Sequence, residues 1–194
     1  MIRLSPLCAA ALLALAACGP ASGPDEADEP VPNAAQPREA AVTAQGWGPI
    51  RIGMTMAELE LAVGPINDSG DFGECVEAHP ANAPDGLLVM AEQGVVTRIS
   101  LIRDSALKTD RGFGLGDPAQ AVKAEYGEAA GGGPHKYEPA PAEYIEIWSR
   151  GAATSEPYQT DPNARGIVYE IGTDGLVRAI RAGGPSIQYV EGCA

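Results

Sequence analysis

The sequence predicts an α+β fold in which two tandem helix-plus-antiparallel-strand repeats form one continuous antiparallel sheet with the helices on one face. Two observations lead to this prediction. A twelve-residue segment bounded by glycines, residues 53–64, has a counterpart at residues 116–127. Downstream of each segment, two short apolar runs flank a tight-turn sequence, which is the pattern of a β-hairpin. Side-by-side copies would leave the second face of the sheet open.

Each glycine-bounded segment predicts a short helix. Thr55 and Asp117 are residue types that cap helix N-termini, and Pro118 would stand in a first turn that tolerates proline. Gly64 and Gly127 would end the helices.

Two hairpins follow the predicted helices. In the first, the runs at 86–90 and 94–99 meet at Glu92-Gln93-Gly94. In the second, the runs at 166–170 and 175–180 meet at Thr173-Asp174-Gly175. We therefore expect residues 47–110 to form the first repeat and residues 111–194 the second, with the C-terminal tail tied back to the first.

The N-terminus has the pattern of an export signal. Arg3 precedes an apolar run at 6–17, which is shorter than the roughly 20 residues that a membrane span needs. Residues 15–19, Leu-Ala-Ala-Cys-Gly, resemble the lipobox of bacterial lipoproteins. This resemblance implies a signal peptide at 1–17 and acyl chains such as palmitate on Cys18. The alternative is an ordinary secretory signal with a chance cysteine.

Residues 18–46 predict a disordered tether. The segment holds five prolines, many alanines and an acidic cluster at 25–29, so it cannot bury enough apolar surface to offset its ordering entropy. By resemblance to lipoprotein sorting rules, the absence of aspartate after Cys18 favours the outer membrane. We expect the chain to face the periplasm, lipid-anchored.

The charge of the chain restricts its partners. Loss of Arg3 with the signal leaves 12 basic and 26 acidic side chains, a net charge of −14. Such a chain is repelled by nucleic acid and by anionic lipid headgroups, so membrane contact would come through the anchor only. The charge favours solubility, with a basic protein partner as the alternative, and we expect a monomer.

Two cysteines remain for the folded part, Cys75 and Cys193. In an oxidising compartment they predict a disulfide, which would close a loop of about 119 residues and contribute on the order of 5 kcal/mol at most. A redox-active or metal-binding pair is the alternative, but neither cysteine lies in a Cys-x-x-Cys motif or beside a histidine.

The sequence offers no catalytic constellation. Residues 112–117, Gly-Phe-Gly-Leu-Gly-Asp, lack the third glycine and the preceding buried strand of a dinucleotide site. The acidic loop of Asp68, Asp71 and Glu74 lacks the calcium-loop pattern, so a solvated loop is expected rather than a weak ion site. His79 and His135 have no zinc-ligand spacing. We expect no enzyme activity, no metal and no cofactor.

A candidate binding surface follows from strand parity. In the segment 144–150, Tyr-Ile-Glu-Ile-Trp-Ser-Arg, alternation puts Ile145 and Ile147 on one side. The residues on the opposite side are Tyr144, Glu146, Trp148 and Arg150. Tyr, Trp and Arg are enriched at interface hot spots, and eight of the ten aromatic residues lie between 113 and 189. The candidate binding residues, which include two from the tetrad 134–137, are His135, Tyr137, Tyr144, Trp148 and Arg150.

Other interpretations of these residues stay open. The row of residues on the side of the strand opposite Ile145 and Ile147 could pack under the loop 151–165. Alternatively, the aromatic side chains of this row could only stiffen cross-strand pairs. His135 could equally serve the structure at the start of a strand.

Several residues carry a family resemblance: Ile52-Gly53-Met54-Thr55, Glu58-Leu59 and Val63-Gly64-Pro65. They resemble a signature shared by outer-membrane-assembly lipoproteins of the SmpA/OmlA type and by the beta-lactamase inhibitory protein, whose two repeats form one concave sheet that grips an enzyme. The tail 189–193, Tyr-Val-Glu-Gly-Cys, resembles uncharacterised alphaproteobacterial lipoproteins. The chain departs from the signature at Asp117-Pro118, and its cysteine pair spans both halves.

The resemblance implies a non-catalytic protein-binding module of the cell envelope with an assembly or scaffold role. Inhibition of a periplasmic hydrolase is the alternative. An enzyme acting on cell-wall or lipid material is a third possibility from a different class.

Overall fold

The computed structural model describes residues 41–71, 74–149 and 158–193. The predicted signal peptide, Cys18, most of the predicted tether and Arg150 lie outside these residues.

The described chain is mostly an antiparallel sheet with two α-helices. Its elements are β1 Gly46–Trp47, β2 Ile50–Arg51, α1 Met56–Val63, β3 Ile66–Asp71, β4 Cys75–Pro80, β5 Leu87–Glu92, β6 Val95–Leu101, α2 Ala119–Tyr126, β7 Gly131–Pro134, β8 Glu143–Trp148, β9 Gly166–Ile171 and β10 Val177–Gly183. Short 3₁₀ turns follow at Gly127–Ala129 and Pro185–Gln188. Strands β3 to β10 form one eight-stranded sheet in the order β3-β4-β5-β6-β10-β9-β8-β7, and β1 pairs with β2 separately. The predicted α+β class is thus confirmed.

Helix α1 begins with the cap that the sequence predicts. The Glu58 amide donates to Thr55 Oγ1 at 3.3 Å, and the Thr55 amide donates to Glu58 Oε2 at 2.8 Å. This reciprocal capping box satisfies two backbone donors that the helix leaves free. The Glu58 carboxylate accepts hydrogen bonds from the amide and from the hydroxyl of Thr55, and these two bonds lower the pKa of Glu58.

Helix α2 begins differently, and the prediction of Asp117 as its cap is wrong. Pro118 occupies the N-cap position without a side-chain cap hydrogen bond. The Asp117 carboxylate instead accepts the Gly114 amide at 2.7 Å, because the glycine-rich loop folds back and brings this donor close. The Ala119 amide is satisfied from outside the helix, by the carbonyl of Gly175 at 3.0 Å.

Both predicted hairpins are present as β5–β6 and β9–β10. At the first turn Gln93 has φ 52° and Gly94 has φ 76°. Two consecutive residues with positive φ are what the two-residue hairpin turn matching strand twist requires. Each hairpin also carries an irregularity in its second strand, where Thr97 and Arg178 are left out of the pairing register.

Each helix start is bonded to the turn region of the hairpin that follows it in sequence. At α1, the Gly53 amide donates to the Val96 carbonyl (2.8 Å), Val96 donates to Met54 (2.8 Å) and Met56 donates to Gly94 (3.1 Å). At α2, the corresponding amides donate from Gly116 to Val177 (2.8 Å), from Val177 to Asp117 (2.9 Å) and from Ala119 to Gly175 (3.0 Å). The same three donor–acceptor relations therefore occur at both helices.

The main core lies between the sheet and the two helices. Leu59 of α1 and Val122 of α2 belong to one buried cluster together with Ile99, Ile145 and Tyr169 of the sheet. Because both helices share this cluster with the same strands, they pack on the same face of the sheet.

The second face is not open along its whole width, so this part of the prediction is wrong. The 3₁₀ turn Pro185–Gln188 contacts β6, β9 and β10, and Ile187 has no exposed surface. A disulfide joins Cys75, the first residue of β4, to Cys193, with 5.6 Å between the Cα atoms. The sequence predicts this bridge. It does not indicate that the tail between Gly183 and Cys193 crosses the sheet on the face opposite the helices.

The described fold begins earlier than the boundary expected at Trp47. Val42 is fully buried, and Ala41 is nearly so. The Val42 amide donates to the Lys108 carbonyl at 2.9 Å, and the Asp110 amide donates to the Val42 carbonyl at 3.0 Å. Val42 is buried because of this contact with a segment that is distant in the sequence. A lone valine at the end of a Pro/Ala-rich segment has no periodic pattern around it, so the sequence does not predict its burial.

Candidate functional site

Strand β8 presents its side chains as the alternation predicts. Ile145 is fully buried in the core cluster, and Ile147 packs against that cluster. Tyr144, Glu146 and Trp148 lie on the opposite face of the sheet and are half-buried.

His135 is fixed by both ring nitrogens. Its side chain is 7% exposed, and Nε2 lies 3.5 Å from the Glu170 carboxylate. Nδ1 accepts the amides of Tyr137 at 3.2 Å and Glu138 at 3.1 Å, which assigns the ring proton to Nε2. Tyr144 stacks on the imidazole with 4.7 Å between ring centroids. His135 therefore organises the surface and has no free nitrogen to offer a ligand.

Two charged residues that sequence analysis missed join this cluster. Arg181 forms an ion pair with Glu170, and its guanidinium carbon lies 5.7 Å from the centroid of the Tyr144 ring. Glu170 is the one charged residue of β9, and Arg181 is one of two in β10. A charge within these largely apolar strands is the signal that could have found both residues. They meet Tyr144 only because β8, β9 and β10 are neighbours in the sheet.

Trp148 and Glu146 form a second contact in the same row. The indole Nε1 donates to Glu146 Oε2 at 3.4 Å. Burial raises the pKa of Glu146, while the hydrogen bond from Trp148 and the charge of Arg181 lower it. A Cβ on Gly166 would lie 2.7 Å from Cε3 of Trp148 and 3.0 Å from Cδ1 of Ile187. The indole and the Ile187 side chain thus both lie over Gly166, where a larger residue would displace them.

Tyr137 is the most exposed of the four predicted site residues that the structure describes. It is 61% exposed, and its ring centroid lies 6.4 Å from that of His135. The Lys136 ammonium lies 5.0 Å from the centroid of the same ring and 3.1 Å from the Glu191 carboxylate. The structure thus brings His135, Tyr137 and Tyr144 into contact. Trp148 lies farther along β8, where it contacts Glu146 instead, and Arg150 is outside the described residues.

Three of the aromatic residues in the second half belong to the core instead. Phe113, Tyr126 and Tyr169 lie with ring centroids 6.0 to 6.3 Å apart on the helix side of the sheet. The Tyr126 and Tyr169 hydroxyls are 2.9 Å apart, and the Tyr169 hydroxyl donates to Thr109 Oγ1 at 3.2 Å. Burial raises the pKa of both tyrosines. The aromatic excess of this half therefore reflects the core as well as the surface.

The remaining polar candidates do not converge. Within residues 41–71, 74–149 and 158–193, no three His, Cys, Asp or Glu side chains are placed to hold a metal ion. Asp68 and Asp71 belong to strand β3, but the structure does not describe their side chains. The ring of His79 is anchored through Nδ1 to the Leu87 carbonyl at 2.8 Å.

A cleft of about 520 Å³ opens between the tail and the ends of β4 and β5. Its lining includes Cys75, Met90, Lys136, Tyr158, Tyr189 and Cys193.

None of the helices in the described part of the chain has the length and apolar character needed to cross a membrane. Comparisons of the chain with protein-family models, with curated proteins and with solved structures gave no match.

Proposed function

We propose that this chain is a lipid-anchored, periplasm-facing lipoprotein whose folded part is a non-catalytic protein-binding module of the cell envelope. The observation that carries the proposal is the row of Tyr144, Glu146 and Trp148, which lies on the face of the sheet away from the helices with exposed surface left on each side chain. Aromatic side chains that are rigidly held and partly exposed are the usual anchors of protein interfaces.

The chemistry of the row favours binding over catalysis. His135 uses both ring nitrogens within the fold, and Glu170 is paired with Arg181. No base is left poised next to a nucleophile among these residues, which acyl transfer or hydrolysis would need. Rigid aromatic rings with Tyr137 at the rim instead offer contact area at a low cost in side-chain entropy.

We also propose that the domain is a tandem repeat, in line with the resemblance to SmpA/OmlA lipoproteins and the beta-lactamase inhibitory protein. The three hydrogen bonds between α1 and its hairpin recur between α2 and its hairpin. The equivalent helix residues are always 63 positions apart in the sequence, and the equivalent hairpin residues are always 81 positions apart. With the same offset of 81, Ser100 corresponds to Arg181, and these two residues pair directly where β6 meets β10. Pairing of a residue with its own counterpart is what a pseudo-twofold axis between two halves of a sheet requires.

Site-specific photocrosslinking in living cells tests the proposed surface. A benzophenone amino acid replaces Tyr137 in one variant and Leu61 in a matched control, because Leu61 is 89% exposed on α1, on the helix side of the sheet. We expect a discrete crosslinked band from position 137 and none from position 61. Equal patterns from both positions would contradict the proposed face. Identification of the partner then separates an assembly component from a hydrolase, which would favour an inhibitor.

A pair of substitutions distinguishes binding from folding. Trp148→Ala should weaken recovery of the crosslinked partner at least tenfold with the fold retained, because hot-spot truncation typically costs about 2 kcal/mol or more of binding. Ile147→Ala should instead lower the melting temperature, because this side chain packs against the core on the helix side. If Trp148→Ala unfolds the domain, the row is part of the core and the proposal fails.

A further inference from the structure

The C-terminal segment Gly184–Cys193, here called the strap, occupies part of the face opposite the helices. Its carbonyls accept hydrogen bonds from two arginines of the central strands. Arg98 Nη1 donates to Ser186 O at 3.2 Å and to Tyr189 O at 3.0 Å, and Arg181 Nη1 donates to Ile187 O at 3.5 Å. Both arginines are buried. The strap thus covers two cations that would otherwise face solvent.

Other contacts also hold the strap. Ile187 is buried beside Gly166, and the Gly184 amide donates to the Thr97 carbonyl at 2.9 Å. Gln188 exchanges hydrogen bonds with Gln159, at 2.8 and 2.9 Å, and Glu191 forms an ion pair with Lys136. Beyond Gly184, the amides of Ile187 and Tyr189 donate within the strap, to the carbonyls of Gly184 and Ser186. The strap is therefore laid on the sheet as a separate piece and adds no strand to it.

The disulfide that closes the strap is reachable from solvent. Cys75 and Cys193 both line the cleft of about 520 Å³, together with Tyr158 and Tyr189, which are 65% and 46% exposed. Cys75 itself is half-buried, whereas Cys193 is 9% exposed. Because Cys75 is the more exposed of the two residues, we take its sulfur as the one that an incoming thiolate attacks.

We propose that the Cys75–Cys193 disulfide is a latch, and that its reduction releases the strap and uncovers the arginine-bearing part of the sheet face. A dithiol reductant supplies the electrons. One of its thiolates attacks Cys75 Sγ, the S–S bond breaks, and Cys193 leaves as a thiolate that takes up a proton. The second thiol of the reductant then attacks the mixed disulfide and frees Cys75, so the reductant becomes a disulfide and two thiols remain on the protein.

The uncovered surface would have a defined chemistry. Arg98 and Arg181 would exchange strap carbonyls for water or for the oxygen atoms of a partner, and the pocket of Ile187 would be vacated beside Trp148. Each guanidinium keeps its carboxylate neighbour, Glu77 for Arg98 and Glu170 for Arg181. This inference does not depend on the proposed function, because it concerns only the opening of the strap.

Hydrogen exchange on the purified full-length chain tests the latch. The oxidised protein is compared with protein that has been reduced and alkylated, and with the variant Cys75→Ala/Cys193→Ala, which carries no alkyl groups. We expect the amides of Ile187 and Tyr189 to exchange at least about tenfold faster in both opened forms, while amides of α2 and β9 keep their protection.

Methionine oxidation gives a second readout on the same samples. Met90 is 1% exposed and lines the cleft below the strap, so its oxidation by peroxide should become at least about tenfold faster after opening. Met56 of α1, on the helix side, is the internal control and should not change. Unchanged strap amides and unchanged Met90 after reduction would overturn the latch. Simultaneous loss of protection in β9 and α2 would also overturn it, because the disulfide would then stabilise the whole fold.

Discussion

Removing the charge of Glu77 should destabilise the domain because it isolates a buried guanidinium. Arg98 has 4% of its side-chain surface exposed and forms an ion pair with Glu77, which is 25% exposed. Burial lowers the pKa of Arg98 to about 10, although the neighbouring Glu77 raises it. At neutral pH this net shift corresponds to about 3 kcal/mol of stability lost, with the attraction of Glu77 already offsetting part of the desolvation cost.

The magnitude for Glu77→Gln follows from these exposures. Breaking a fully buried pair typically costs about 3–5 kcal/mol, and the quarter exposure of Glu77 reduces that figure to about 2–3 kcal/mol. For a domain of this size the melting temperature should fall by roughly 5–10 °C. Circular dichroism on heating and a urea titration at pH 7 measure both quantities.

A second substitution in the same pair sharpens the prediction. Glu77→Gln/Arg98→Met should be more stable than Glu77→Gln alone, because methionine removes the uncompensated charge at the cost of the hydrogen bonds to Ser186 and Tyr189. The Ser186 carbonyl belongs to a buried residue and would cost about 1–3 kcal/mol when unpaired, whereas Tyr189 is 46% exposed and can be hydrated. A double variant that is less stable than the single variant would refute this account of Arg98.

The pH dependence has a defined sign. Because the folded-state pKa of Arg98, about 10, lies below its unfolded value, the unfolded chain binds more protons than the folded chain once the pH rises above about 10. The contribution of this group to stability therefore rises with pH in that range and is lost as the pH falls through about 10. Glu77→Gln lowers the pKa of Arg98 further, so the stability gap to the wild type should narrow between pH 8 and pH 10. A gap that widens would contradict the assignment.

Three further predictions concern other parts of the chain. Ile145→Ala should cost roughly 2–5 kcal/mol in urea unfolding, because the side chain is fully buried in the core cluster, and a neutral result would place it elsewhere. Tyr169→Phe should cost about 1–2 kcal/mol, since its hydroxyl joins Tyr126 to Thr109, and more than Tyr126→Phe, which leaves the bond to Thr109 intact. Cys18→Ser should release the protein from membranes or leave the signal uncleaved, and fractionation of a cleaved variant with the membrane would exclude the lipid anchor.

Local signals explain the parts of the fold that the sequence predicts correctly. The α1 cap depends on Thr55 and Glu58, three residues apart, and the first hairpin depends on Gln93-Gly94 at a two-residue turn. Strand β8 places Ile145 and Ile147 toward the core by simple alternation. Each of these features is decided by contacts within a few residues, so a single stretch of sequence contains the necessary information.

The errors arise where distant contacts compete with local ones. Asp117 is a good cap by residue type, but its carboxylate accepts the Gly114 amide, and α2 begins without a side-chain cap. Val42 is buried because it pairs with the segment around Thr109, and nothing near Val42 in sequence indicates this. In both cases a partner that becomes available only on folding outweighs the local preference.

The sequence by itself determined the start of α1, the hairpins, the parity of β8 and the pairing of Cys75 with Cys193, because spacing, residue type and cysteine count are local or countable properties. Only the tertiary structure decided what lies on the face opposite the helices. Glu170 and Arg181 meet Tyr144 through the order of the strands, and the strap lies over Arg98 because its carbonyls satisfy a buried guanidinium. Burying that cation requires acceptors from a segment about 90 residues away along the chain, and such pairings are selected by the electrostatic cost of leaving a charge unpaired in the assembled sheet.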